Sequence, residues 1–228
     1  MMFKFILSDA WKQAYPHAFA GVLVIRSAAN LESPPALRQR TQAVEDHLKQ
    51  YYSGWVRADI AALPAIQAYN TYYRRYKKTY HVQLQLESLI HKGRSLPRGP
   101  ALLEAMFSAE MKNLLLTAGH DLAAVQGPAI LNAAVGNENY QTLSGESKTL
   151  KPDDMFVSDE AGVISSVLYG PDQRTQLTSS TQDALFMVYA PQGIVREMVL
   201  NHLHDIRDGV LLAAPTAQVE LLEVFGAS

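Results

Sequence analysis

The stretch 119–135 reads Gly119-His120-Asp121-Leu122-Ala123-Ala124-Val125-Gln126-Gly127-Pro128-Ala129-Ile130-Leu131-Asn132-Ala133-Ala134-Val135, and the chain changes texture across it. On its N-terminal side apolar residues recur at spacings of three and four, with prolines at helix starts. On its C-terminal side short apolar segments of strand length alternate with turn residues. A helix-rich N-terminal half followed by a sheet region is the expectation.

Toward the N-terminus, Pro100 opens a helix through Leu102, Leu103 and Met106 that reaches to about Leu116. A helix carrying Leu84, Leu86, Leu89 and Ile90 stops at Gly93. Pro64 opens a helix whose Tyr69, Tyr72, Tyr73, Tyr76 and Tyr80 form one stripe. Ser33-Pro34-Pro35 starts another, running to Ser53-Gly54. The segments 3–7 and 18–25 read as strands joined by a helical turn. Toward the C-terminus, strands are expected at 129–135, 155–158, 163–168 and 184–189, then a helix from Ile194 to Asp208-Gly209, then a short strand at 219–224. No repeat or Gly/Ser-rich linker divides residues 1–228, so one domain is expected, with parts 1–71, 72–191 and 192–228.

Hydrophobic residues at 48% and charged residues at 18% supply a core and exclude a disordered chain. The absence of cysteine removes disulfides, thiolate catalysis and thiolate zinc sites. No stretch approaches the ~18 apolar residues of a membrane span, and the N-terminal apolar run is too short for a secretory signal, so a cytoplasmic location with no membrane partner is expected. The net charge of −2 hides segregation: residues 74–98 hold seven Lys/Arg (Arg74, Arg75, Lys77, Lys78, Lys92, Arg94, Arg98) against Glu87 alone, a local +6. Such a footing suits phosphate. The tyrosine stripe beside it reads as a core face with the basic residues solvated; stacking on RNA bases is the alternative.

Other candidates are weaker. His120-Asp121 has the composition of a carboxylate-oriented general base; the structural alternative has His120 capping a helix end at 114–119 and Asp121 capping the next helix. His202 and His204, two apart, fall on different helix faces, and no metal or cofactor is assigned. Gly170-Pro171-Asp172 reads as a turn that presents Arg174 to a carboxylate or phosphate.

Two sets of motifs resemble a known family. Tyr73-Arg74-Arg75-Tyr76, followed by His91-Lys92-Gly93-Arg94-Ser95-Leu96-Pro97-Arg98, is similar to the lead-in of free-standing B3/B4 proteins. Gly119-His120-Asp121-Leu122 with Gly127-Pro128, Thr142-Leu143-Ser144-Gly145, and Thr149-Leu150-Lys151-Pro152-Asp153-Asp154 resemble the core shared with the B3/B4 tRNA-binding and editing domain of the phenylalanyl-tRNA synthetase beta subunit. The resemblance spans 72–191. It implies an α+β fold with a central, mostly antiparallel sheet flanked by helices, and a pocket that admits the aminoacylated 3′ end of a mischarged tRNA and hydrolyses the ester with a positioned water and oxyanion donors. It also implies tRNA, not DNA, as partner, and an amino acid or aminoacyl ester as ligand. The residues it points to are His120 and Asp121 for catalysis, Arg174, Met187 and Ala118 in the pocket, and Arg74, Arg75, Lys77, Lys78, Arg94 and Arg98 on RNA. Two positions depart from the family pattern: Met187 stands where the family carries a tyrosine-accepting glutamate, and Ala118 where it carries a pocket histidine. The resemblance thus leaves two forms open, a trans-acting editing hydrolase and a module that binds tRNA or amino acid without turnover.

Overall fold

The structure, a computed structural model, describes residues 2–227. A short strand β1 (Phe5–Leu7) leads into α1 (Asp9–Ala14), whose N-cap Ser8 accepts the Trp11 amide at 3.0 Å. Strand β2 (Phe19–Arg26) follows, then α2 (Pro35–Tyr51), α3 (Arg57–Ala61), α4 (Pro64–Arg74), α5 (His81–Lys92) and α6 (Ala101–Asn113). The strand-rich half holds β3 (Thr117–Asp121), β4 (Ala129–Ala133), β5 (Asn139–Gln141), β6 (Ser147–Thr149), β7 (Met155–Asp159), β8 (Gly162–Ser166), the two-residue β9 (Gly170–Pro171) and β10 (Ala184–Ala190). Helix α7 (Arg196–Ala213) and β11 (Gln218–Gly226) complete it.

The α+β class expected from the sequence holds, with the strands divided between two main sheets. One has the order β1-β4-β7-β8-β9 and is antiparallel except for the β1/β4 pair; the other, β11-β2-β10-β3, is antiparallel throughout. Helix α7 lies on one face of the second sheet. It comes so close that a Cβ on Gly21 of β2 would stand 2.7 Å from Val199 Cγ1. The opposite face of that sheet meets the first sheet. One apolar cluster extends from Trp11 to Val224, and a small second one (Ala134, Tyr140, Leu150, Phe156, Val163) sits under the β5–β6 hairpin. Among the described residues no helix is long and apolar enough to cross a membrane.

Three boundaries differ from the sequence reading. Helix α4 stops at Arg74, because Lys77 takes a left-handed conformation (φ 55°) and the Lys78 amide reaches back to the Tyr73 carbonyl (3.1 Å), a Schellman-type stop; Tyr76 and Tyr80 therefore lie beyond it. Helix α6 ends at Asn113 through left-handed Leu114 (φ 58°), and 117–121 is a strand, so His120 caps no helix. Helix α7 runs on past Gly209, whose missing side chain serves packing: a Cβ there would stand 2.9 Å from Ala105 Cβ on α6.

The tyrosine stripe forms part of the core. Tyr69, Tyr72, Tyr73 and Tyr80 are buried, and each hydroxyl fastens the helical layer to another element. Tyr73 donates to the Val167 carbonyl (2.8 Å), Tyr80 to the Leu114 carbonyl (3.2 Å), and Tyr72 to Asp154 Oδ1 (2.6 Å). The Tyr69 hydroxyl donates to the Tyr189 carbonyl (2.6 Å) and accepts the Leu116 amide (2.9 Å), so it bridges the strands β10 and β3 where they begin to diverge.

Candidate functional site

Strand β3 ends the order of its sheet, and its outer side borders a cavity of about 540 Å³. Helix α6 supplies one wall with Leu103, Met106, Phe107 and Glu110, which recur at the helical spacing of three, four and seven. Leu116, Thr117, Ala118 and Gly119 form the floor; the β8–β9 connection contributes Ser166 to Pro171; Gln176 and Leu177 cross over it. His81 and Gln85 of α5 also line it. Size and lining match a small-molecule site, mostly apolar with a few convergent polar groups.

Glu110 is the chemically distinctive member. It is only 2% exposed, and its Oε2 accepts the Thr117 amide at 2.9 Å. Among the described residues it forms no ion pair. Burial pushes its pKa up to about 8, against the opposing pull of the Thr117 N–H. A neutral carboxylic acid at pH 7 thus faces an apolar chamber.

The residues singled out from the sequence are distributed over several places. Ala118 lines the cavity. Met187, fully buried on β10, is its direct cross-strand partner on the side facing the other sheet. His120 lies on that same side, fully buried between the sheets. Its Nδ1 is 2.7 Å from Thr175 Oγ1 and its Nε2 3.2 Å from Ser165 Oγ. Thr175 donates its hydroxyl proton to Asp172, which leaves it to accept from Nδ1–H and turns the Nε2 lone pair toward Ser165. Ser165 in turn stands 2.5 Å from the Tyr189 hydroxyl, and Tyr189 borders the cavity. Burial, with a smaller contribution from the Arg174 cation and against the pull of Asp159, lowers the His120 pKa to about 3.

Asp121 is engaged on both oxygens: Oδ1 accepts the Ala123 amide (3.0 Å) at the start of a 3₁₀ turn, and Oδ2 accepts Thr181 Oγ1 (2.8 Å). The cap reading of Asp121 describes this. Arg174 donates to the Ala124 carbonyl (2.6 Å) and pairs with Asp159 (2.8 Å), at a separate surface hollow with Tyr140 and Gln173. His120 and Arg174 share a network through Asp172 but no cavity. His202 is buried against Thr117 Oγ1 at 2.7 Å, a packing role on α7.

The basic segment divides as well. Lys78 Nζ donates to the Leu168 carbonyl (3.2 Å) and stands 4.3 Å from the ring centroid of Tyr169, both of them cavity residues. Lys148 approaches the same ring at 5.8 Å. Arg75 spreads over Tyr72, with Cζ 4.5 Å from the centroid, and donates to the Tyr15 hydroxyl (3.1 Å). Arg98 is turned inward to Glu45 and Glu104, each at 3.4 Å. Arg74, Lys77 and Arg94 are exposed. Sequence reasoning missed Glu110, although its seven-residue spacing from Leu103 placed it on the apolar stripe; it also passed over Lys148, which stands outside the 74–98 run.

No family model matches the sequence, and no curated protein matches it. Seventeen solved chains match by structure. Among them is the crystal structure of an N-terminal fragment of the phenylalanyl-tRNA synthetase beta-subunit from Pyrococcus horikoshii, similar at a TM-score of 0.51 and 12% identity over 95% of this chain and 50% of that one. The chain spans about half the length of that fragment, and at this identity the likeness is one of fold.

Proposed function

We propose that the chain is a tRNA-associated protein whose β3-edge cavity receives the aminoacyl group at the 3′ end of a charged tRNA. The observation that carries this reading is the cavity, about 540 Å³, walled by apolar side chains, with one buried carboxyl in its lining and Lys78 against Tyr169 at its border. An amino-acid side chain fits the apolar walls, and lysines beside Tyr169 suit the phosphates of the chain that bears it. Arg74, Lys77 and Arg94 extend that cationic approach. The fold likeness to a fragment of a tRNA synthetase subunit supports the same direction. The test is the affinity for one tRNA with and without its amino acid. Charged tRNA binds at least tenfold tighter, and Leu103→Trp, which narrows the chamber from its α6 wall, reduces the difference. Equal affinities in the unmodified protein overturn the reading.

A second reading, a trans-acting editing hydrolase of mischarged aminoacyl-tRNA, is favoured by one observation: the hydrogen-bonded line Tyr189–Ser165–His120 connects the cavity wall to an imidazole. An aminoacyl ester is activated, so an ordered water and oxyanion donors suffice. The low basicity of His120, about 3, opposes its use as general base, which makes binding the better supported form. Deacylation above buffer, lost in His120→Asn with binding retained, establishes the hydrolase. No deacylation of tRNA charged with any amino acid eliminates it.

A further inference from the structure

Helix α6 carries a carboxyl into a chamber lined by apolar and neutral groups, with the Lys78 ammonium at the Tyr169 border, where it is held by the Leu168 carbonyl. The walls beside Glu110 are Met106, Phe107, Leu103 and Leu177. Among the described residues its one protein hydrogen bond is to the Thr117 amide through Oε2, and no Lys or Arg forms an ion pair with it. Titratable groups face it from the other elements packed around it. Tyr69 and Tyr73 come from α4, Tyr80 and His81 from the start of α5, Tyr169 from the β8–β9 connection and Tyr189 from β10. Burial raises each of these tyrosines and lowers His81, so all are neutral at pH 7. A buried acid is normally paired or removed; one left in a cavity wall without a cation has room for a cation from outside.

We propose that Glu110 is the counter-ion for a ligand ammonium, so that the cavity selects molecules with a primary amine on a compact apolar body. The ammonium sits against the free Oε1 while the apolar part lies among Leu103, Met106, Phe107 and Leu177. The inference rests on the reading of this cavity as the ligand site, and it adds which group of an aminoacyl ester is recognised, its α-ammonium. Because burial holds the unliganded carboxyl protonated, with its pKa pushed to about 8, docking of an ammonium expels the carboxyl proton to solvent. The bound state is then an ion pair shielded from water, and affinity rises with pH until either Glu110 ionises by itself or the ligand's α-ammonium, ordinarily about 7.7–8.0, loses its proton.

The experiment is calorimetry of the full chain at pH 6.5 with L-leucinamide and L-phenylalaninamide, each beside its des-amino analogue, in buffers of different ionisation enthalpy. Expected is saturable binding of the amines with close to one proton released per ligand, and at least tenfold weaker binding of the analogues without proton release. Glu110→Gln, which keeps an oxygen for the Thr117 amide, binds the amines at least tenfold more weakly and releases none. Proton release in the unmodified protein is the second readout should that variant fold poorly. Amine binding without proton release, equal binding of the des-amino compounds, or no amine binding at all overturns the proposal. If charged tRNA still binds preferentially in that case, the cavity reading stands and the role of Glu110 falls. If the amines bind as expected and tRNA does not, the reverse holds.

Discussion

Helix α6 buries two glutamates six residues apart, and the protein treats them in opposite ways. Glu104, 1% exposed, meets the Arg98 guanidinium, which also reaches Glu45, itself held by Lys49 (2.6 Å) and the Leu96 amide (3.0 Å). Glu110, as deeply buried, meets one backbone amide and a cavity. The first arrangement fixes the 93–100 loop onto α2 and α6 with charge neutralised inside the fold. The second leaves neutralisation to a proton or a ligand. Depth of burial is therefore no guide to purpose; the presence or absence of a resident cation separates a structural acid from one available for recognition.

Four measurements break or sharpen that contrast. Arg98→Ala strands the buried Glu104 carboxylate, leaves Glu45 to Lys49, and should cost about 3 kcal/mol in denaturant unfolding, the low end for a broken buried pair because the guanidinium is a third exposed. A loss below about 1 kcal/mol would show that Glu104 needs no partner, and the contrast would collapse.

Glu110 should reveal itself through pH. Its folded pKa of about 8 lies above its ordinary 4.5, so its contribution to stability is complete below about 4.5 and is lost as pH rises toward 8. Asp154, raised to about 7, acts with the same sign in a lower window. His120 and His202, held at about 3 and about 4, act oppositely, because the unfolded chain takes up their protons first as pH falls below the usual 6.5. Between pH 6.5 and 8.5 the loss from the two acids outweighs the small remaining gain from the histidines, and the protein should lose about 2 kcal/mol. Glu110→Gln should flatten that slope; an unchanged slope would mean the acid is already ionised in the fold.

Gly209→Ala forces a methyl to within 2.9 Å of Ala105 and should cost about 1 kcal/mol after the gain in helix propensity. Because it moves α6 as a body, it should disturb the Arg98 pairings and the cavity together, whereas Glu110→Gln touches only the latter. The smallest effect is expected of Lys78→Ala with Lys148→Ala: stability within about 0.5 kcal/mol, and a tRNA affinity whose dependence on log salt is shallower by about one per lysine that contacts a phosphate. An unaltered salt slope would place the RNA elsewhere.

What the sequence disclosed depended on how locally each feature is encoded. Strand β10, Ala-Leu-Phe-Met-Val-Tyr-Ala, is buried on both faces and reads as a strand by itself. Strand β3, Thr-Ala-Gly-His-Asp, has no alternation and follows a helix directly; only its pairing with β10 makes it a strand, and no local signal carried that. Gly209 looked like a helix stop because its use, contact with Ala105, lies more than a hundred residues away in sequence. The tyrosines were legible as core because helical periodicity is a local property. Arg98 and Glu110 were not, since a charged residue on an amphipathic helix or loop normally means solvent, and which charges turn inward is settled by partners distant in sequence. Ala118, singled out by the motif likeness, lines the cavity; the acid that gives this cavity its character came from the three-dimensional arrangement alone.

The Tyr69 hydroxyl, inserted between the Leu116 amide and the Tyr189 carbonyl, makes a helix side chain a rung of the sheet ladder. The helical layer and the β11-β2-β10-β3 sheet consequently have no seam along which either can open alone, for lifting α4 away orphans two interior backbone groups at once. Deuterium should therefore enter at the Leu116 amide only when the whole molecule comes apart, so that one exchange rate at the floor of the cavity reads out the cooperativity of the entire fold.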